Sequence, residues 1–160
     1  MTDHGADELI KAMASAGVRL KLDEVSIDRA AAFDPDAMFY SPLIALSLLV
    51  VADERKTMRT SEAPVWTAAT LTEHFVGLAA LGPRLERSVV LRRRCVDALV
   101  FLENTELVKV GDAPSRVVNC AAQGKKFLRV IADKHDGAGT LVRGLVNAHA
   151  NVDARGLSLW

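Results

Sequence analysis

Cysteine is almost missing from this chain. Two in 160 residues, Cys95 and Cys120, cannot build a disulfide framework. Both read as reduced, buried side chains. A membrane-length apolar run is missing as well. The longest, residues 43–52, has ten residues with one serine inside, and a helical span needs roughly 20. The first residues carry Asp3, Asp7, Glu8 and Lys11, so they do not read as a secretory leader. Together these absences predict a soluble, cytoplasmic protein that does not meet a membrane.

The chemistry that would mark an enzyme is also missing. The four histidines, His4, His74, His135 and His149, stand at no metal-ligand spacing with a cysteine or another histidine. No glycine-rich phosphate loop occurs. Asp136-Gly137-Ala138-Gly139 comes nearest, but lacks a preceding strand and a following lysine. No G-x-S-x-G elbow occurs. Asp34 and Asp36 make a close carboxylate pair, which the start of a helix beside Pro35 explains better than a magnesium site. The expectation is therefore a protein that is not an enzyme, with no catalytic residue, no metal and no cofactor.

Net charge is zero, with 20 basic and 20 acidic side chains, but the balance is uneven. Residues 1–83 hold 7 basic and 12 acidic groups, a balance of −5. Residues 84–134 hold 11 basic and 6 acidic, a balance of +5. An anionic partner or an acidic protein surface would satisfy the basic segment. Mutual neutralisation of the two segments within the fold is the alternative.

What the chain does have is apolar material. Half the residues are hydrophobic, enough for a core in one domain with an appendage. Residues 7–16 read as a short helix with Leu9, Ile10, Met13 and Ala14 on one face, and Gly17 as its cap. Val18, Leu20 and Leu22 alternate with Arg19 and Lys21, as in a half-buried strand. Asp34-Pro35 and Ser41-Pro42 each resemble an N-cap with proline in the first turn. The segment after Pro42 is apolar on every side, so it predicts a central, buried helix ending in Asp53-Glu54-Arg55-Lys56. Residues 57–66 read as a loop, broken at Thr60-Ser61-Glu62-Ala63-Pro64. Thr70-Leu71-Thr72-Glu73 fits a capping box, followed by a helix with Leu71, Phe75, Leu78 and Ala79 inward, which Gly82-Pro83 ends.

Residues 84–131 carry the most information. A helix over 84–104 runs into strands at 107–110 and 116–120, joined by Gly111-Asp112-Ala113-Pro114-Ser115. The helix has an apolar stripe of Leu85, Val89, Val96, Leu99 and Val100, predicted to face the core. Arg87 and Arg94 lie opposite and Arg93 flanks the stripe. Arg92 falls inside it, so it is expected to be a paired structural or interface arginine. Further helices are predicted over 121–134, with Phe127, Leu128, Val130 and Ile131, and over 140–151, with Leu141, Leu145 and Ala148. An apolar tail ends in Trp160, a second candidate interface residue. The fold class is mainly α with a small β-hairpin: a winged helix-turn-helix domain at 38–152, with extra helices, an appendage at 1–37 and a tail at 153–160. Candidate DNA contacts are Arg84, Arg87, Arg93, Arg94, Lys109 and Arg116. No Asn or Gln on the arginine-rich part of the helix stands ready to read adenine, so backbone contact is expected over base reading.

Several strings resemble a known family. Phe39-Tyr40-Ser41-Pro42-Leu43 is similar to the F-N-S-P-L opening of the middle component of ABC three-component systems. Leu91-Arg92-Arg93-Arg94-Cys95-Val96-Asp97-Ala98-Leu99 resembles its L-x-R-R-x-L-x-x-x-L helix. Glu106-Leu107-Val108-Lys109-Val110 looks like the following strand, and Gln123-Gly124-Lys125-Lys126-Phe127-Leu128 like the helix after the wing. The likeness covers about residues 38–152 and its motifs are short. It leaves residues 1–37 unexplained, and Asn119-Cys120-Ala121 departs from the threonine-rich step of the family. It implies a non-catalytic winged-helix accessory subunit. Its partners would be an SMC-like ABC ATPase and an effector such as a nuclease, as in Lamassu-type bacterial defence against phages and plasmids, with double-stranded DNA as a further candidate. The rival expectation is a stand-alone winged-helix transcription regulator.

Overall fold

A computed structural model describes residues 35–156, with side chains from Pro42 onward. The helix at 7–16, the strand at 18–22, Asp34 and the tail with Trp160 lie outside the described residues. The described chain is mainly helical, with one small antiparallel sheet. Its elements are α1 (Pro35–Glu54), β1 (Met58–Arg59), α2 (Ala63–His74), a 3-10 turn (Val76–Leu81), α3 (Gly82–Glu86), α4 (Val89–Asn104), β2 (Val108–Val110), β3 (Val117–Cys120), α5 (Ala122–Ala132) and α6 (Gly137–Arg155).

α1 is the hub. Ile44, Leu46, Leu48, Leu49, Val50 and Val51 are all buried, because α2, α4, α5, α6 and β3 surround this helix. A helix apolar all round can only be stable in such a place. Burying side chains of this size contributes about 1.5–3 kcal/mol each. Ser47, also buried, donates its hydroxyl to the Leu43 carbonyl at 2.8 Å, so it costs the core no unpaired group. Helix α1 starts at Pro35 and runs through Pro42. Ser41-Pro42 is therefore no second start, and Asp34, the cap expected before Pro35, lies outside the described residues. The missing Pro42 amide costs α1 one interior hydrogen bond, which the burial of its apolar residues offsets.

The sheet order is β1-β3-β2. The hairpin matches the expected strands, with Val108 opposite Cys120 and Val110 opposite Val118. Val108 and Val118 point inward, while Lys109 and Asn119 face solvent, as a period of two requires. β1 lies in the segment expected to be loop. Two residues are too short for any alternation to show, and Met58 is fully buried against Val118. α2 begins at Ala63, not at Thr70, with Pro64 in its first turn. The supposed capping box therefore lies inside a helix. Ala79, expected inward, is exposed in the 3-10 turn.

Gly82-Pro83 opens a helix, α3, instead of ending one. The predicted 84–104 helix is broken at Ser88, whose extended backbone makes it the N-cap of α4. Its hydroxyl accepts from the Leu91 amide at 3.2 Å, an alternative to helix continuation that serine favours. α4 ends in a left-handed turn. Glu106 has φ 59°, its amide donates to Glu103 O at 2.9 Å, and the Leu107 amide donates to Leu102 O at 2.9 Å. Leu102 and Leu107 are both buried beneath this turn, the contact that accompanies such a cap.

α5 crosses the start of the sheet at Gly124. A Cβ there would lie 2.2 Å from the Leu107 carbonyl oxygen, so only glycine fits. Val130 of α5, one of its apolar residues, is exposed. The Asp136 break is the N-cap of α6: its carboxylate accepts from the Gly139 amide at 2.9 Å. The last helix is therefore longer than 140–151.

Candidate functional site

Two regions gather unusual side chains. The first is the exposed side of α3, α4 and the hairpin. The core face of α4 is Leu91, Cys95, Ala98, Leu99 and Leu102. Of the predicted stripe, Leu99 is buried and Leu85 packs partly against the core. Val89, Val96 and Val100 are not inward; they are 78%, 57% and 52% exposed. α4 carries two apolar stripes, and the core takes the one built of leucine. The larger side chains reach α1 across the gap and bury more area per residue. The break at Ser88 also frees Val89 from the register of Leu85.

Arg92 is exposed, which corrects its reading as a buried, paired arginine. It belongs to the solvent side because the valine stripe does. Arg84, Arg87 and Arg93 are exposed, and Arg94 is half-buried. Lys109 is exposed on β2. Arg116 is exposed where the hairpin loop rejoins β3, with φ 39° and its carbonyl accepting from the Thr60 amide at 3.1 Å. Among the described residues the ion pairs are Arg55–Asp153, Lys125–Asp53 and Arg155–Glu73, so none of these seven cations is neutralised there. They fall in two groups. The arginines crowd the start of α4, and Lys109 and Arg116 stand on the hairpin that follows its far end. An open groove of about 560 Å³ lies beside β2, between Glu103 and Glu106 on one side and Ala122 and Gln123 on the other.

The second region is a polar cluster where α1, α2 and α6 meet. The Arg55 guanidinium stacks 3.6 Å over the Trp66 ring and bonds Asp153 at 2.7 Å. Trp66 meets the His149 ring edge-on, and the Thr70 hydroxyl pairs with His149 Nδ1 at 3.3 Å. His149 is only 2% exposed; burial lowers its pKa, with Asp153 pulling it up and Arg55 pushing it down. Nearby, Glu73 is held by Arg155 and by Asn151. The Arg155 hydrogen bond outweighs the cost of burial and lowers the pKa of this carboxyl. Periodicity carries no signal for this cluster, since its members come from the end of α1, from α2 and from α6. Its cation–π stack, edge contact and ion pairs hold α6 to α1 and α2.

Both thiols are free. Burial pushes Cys95 up to about 12, with the Thr67 hydroxyl pulling the other way. Burial and the Asp53 charge push Cys120 up to about 12 as well. Such thiols are poor nucleophiles and poor ligands. Among the described residues no group of histidine, cysteine and carboxylate side chains could hold a metal ion, and no helix is long and apolar enough to cross a membrane. Comparison of the chain with protein-family models, curated proteins and solved structures gives no match. The resemblance to ABC three-component systems thus rests on its motifs alone.

Proposed function

We propose that this chain is a non-catalytic winged-helix accessory subunit, which acts by docking within an SMC-like ATPase defence complex of the Lamassu type. The sheet order supports the winged helix. A short strand between the first two helices pairs with the hairpin that follows α4, giving β1-β3-β2. One observation carries the docking role: Arg84, Arg87, Arg93, Lys109 and Arg116 all project to solvent without an ion-pair partner among the described residues. Unpaired arginine and lysine in these two exposed groups suit an anionic surface, either duplex DNA or an acidic protein. The motif resemblance supports the ATPase and effector as partners. Localisation in the cytoplasm goes with that setting.

The stand-alone regulator is the second reading, favoured by the same cations around α4 and the wing. Tagged chain, expressed with its neighbouring genes, separates the two. Recovery with a large coiled-coil ATPase in fixed ratio is the expected result. Recovery of the chain alone, binding one duplex sequence far more tightly than others, would overturn it in favour of the regulator.

A further inference from the structure

We propose that the valine stripe of α4 is the seam of a homodimer, in which two copies pack α4 against α4 in antiparallel orientation. Val89, Val96 and Val100 project from α4 within about 40° of one another, turned well away from the helix face that packs on α1. Isolated exposed valines are ordinary, but a stripe along three turns is a docking face.

The charges beside the stripe select the occupant. Arg92 and Glu103 lie on one flank, Arg93 and Asn104 on the other. Both Arg92 and Glu103 are exposed, and neither has an ion-pair partner among the described residues. In an antiparallel helix pair, like flanks meet. A two-fold axis at the level of Ala98 then sets Val96 against Val100 of the second copy, while Val89 falls level with residue 107, past the end of α4. The same axis sets Arg92 against the second copy's Glu103, and by symmetry the pair forms twice. Arg93 meets the second copy's Asn104, which can accept its hydrogen bond. The Asp97 side chains of the two copies face each other near the axis, one like-charge contact against two Arg92–Glu103 pairs. A parallel pair would set Arg92 against Arg93, like against like. An acidic helix from another protein would leave Glu103 facing a carboxylate. The chain's zero net charge adds no general repulsion between copies. The seam is short, so the dimer is a reversible one. The seam shares Arg93 with the docking surface proposed above, so a dimer and an anionic partner compete for this face of α4.

Sedimentation equilibrium of the full chain over a wide concentration range tests it. The wild type shows a monomer–dimer equilibrium. Val96→Glu, at an exposed position, removes the dimer with the melting temperature kept. Arg92→Glu weakens it by about tenfold or more, since each pair becomes a repulsion. Adding Glu103→Arg restores the charge match, and with it the dimer. A wild type that stays monomeric throughout overturns the proposal. So does a dimer indifferent to Val96→Glu, or a double variant no tighter than Arg92→Glu alone.

Discussion

His149 meets Trp66 edge-on across the α2–α6 contact, with 5.6 Å between ring centroids and 62° between their planes. The imidazole is thus clamped between an indole edge and the Thr70 hydroxyl, away from water. Burial lowers its pKa from an ordinary 6.5, in spite of Asp153. A folded state that resists protonation is stabilised above the unfolded value and loses that stability as pH falls below it. The melting temperature should therefore drop as pH is lowered below about 6.5, until the folded-state pKa is passed. His149→Gln keeps a polar partner for Thr70 but cannot titrate there. Its melting temperature should be lower at neutral pH and flatter through the same window. Scanning fluorimetry of both proteins across this range decides the matter; parallel curves would remove His149 as the cause.

Gly124 and Gly144 are both close-contact glycines, yet they should respond differently to alanine. At Gly124 the new Cβ meets the Leu107 carbonyl, which is backbone already bonded to the Ala121 amide. Neither can move without shifting the sheet, so Gly124→Ala should destabilise by about 1–3 kcal/mol. At Gly144 the clash is with the His74 ring, a side chain that can turn aside. Gly144→Ala should cost less than Gly124→Ala. Urea denaturation of the two variants measures the order.

Glu106 occupies a left-handed conformation that glycine adopts without strain. Its side chain is exposed, and the turn's hydrogen bonds use only its backbone. Glu106→Gly should thus stabilise the protein by about 0.5–1 kcal/mol, while Glu106→Val should destabilise it. A glycine variant with a lower urea midpoint would contradict this account of the helix end.

The hairpin and the central helix were legible because each rests on a local pattern. Alternating Val108, Lys109 and Val110 can be read without knowing their neighbours, and so can an all-apolar run after Pro42. The side of α4 that meets the core was not legible. Val89, Val96 and Val100 are as coherent on a helical wheel as Leu91, Cys95, Leu99 and Leu102. Which stripe α1 takes depends on packing distance and on the break at Ser88, and neither is a periodicity. The misreading of Arg92 followed from that one choice. The Arg55, Trp66 and His149 cluster was invisible for another reason: its partners are separated by up to 98 positions in sequence.

The two thiols should report folding. Cys95 is fully buried, and both pKa values are raised to about 12. Thiolate, the reactive form, is then a minor species at mildly alkaline pH. Native protein should react with a disulfide reagent far more slowly than unfolded protein, with two thiols released in denaturant. Prompt native reaction of Cys95 would mean that α4 opens from α1 easily.

The exposed arginines make the last prediction. If the basic groups around α4 meet duplex DNA, Arg84→Ala with Arg87→Ala should weaken binding by a similar factor on every sequence. Phosphate contacts position a protein but carry no sequence information. Each lost contact should also make the slope of log affinity against log salt shallower by about one unit, because fewer counterions are released. Folding should be untouched: both side chains are exposed and unpaired among the described residues, where substitutions stay within about 0.5 kcal/mol. Arg92→Ala should likewise leave the melting temperature unchanged, since Arg92 lies on the solvent side of α4. Salt titrations of DNA binding, with wild type and the double variant side by side, read all of this at once. Identical slopes would assign these arginines to an acidic protein surface and remove DNA from the partners of this face.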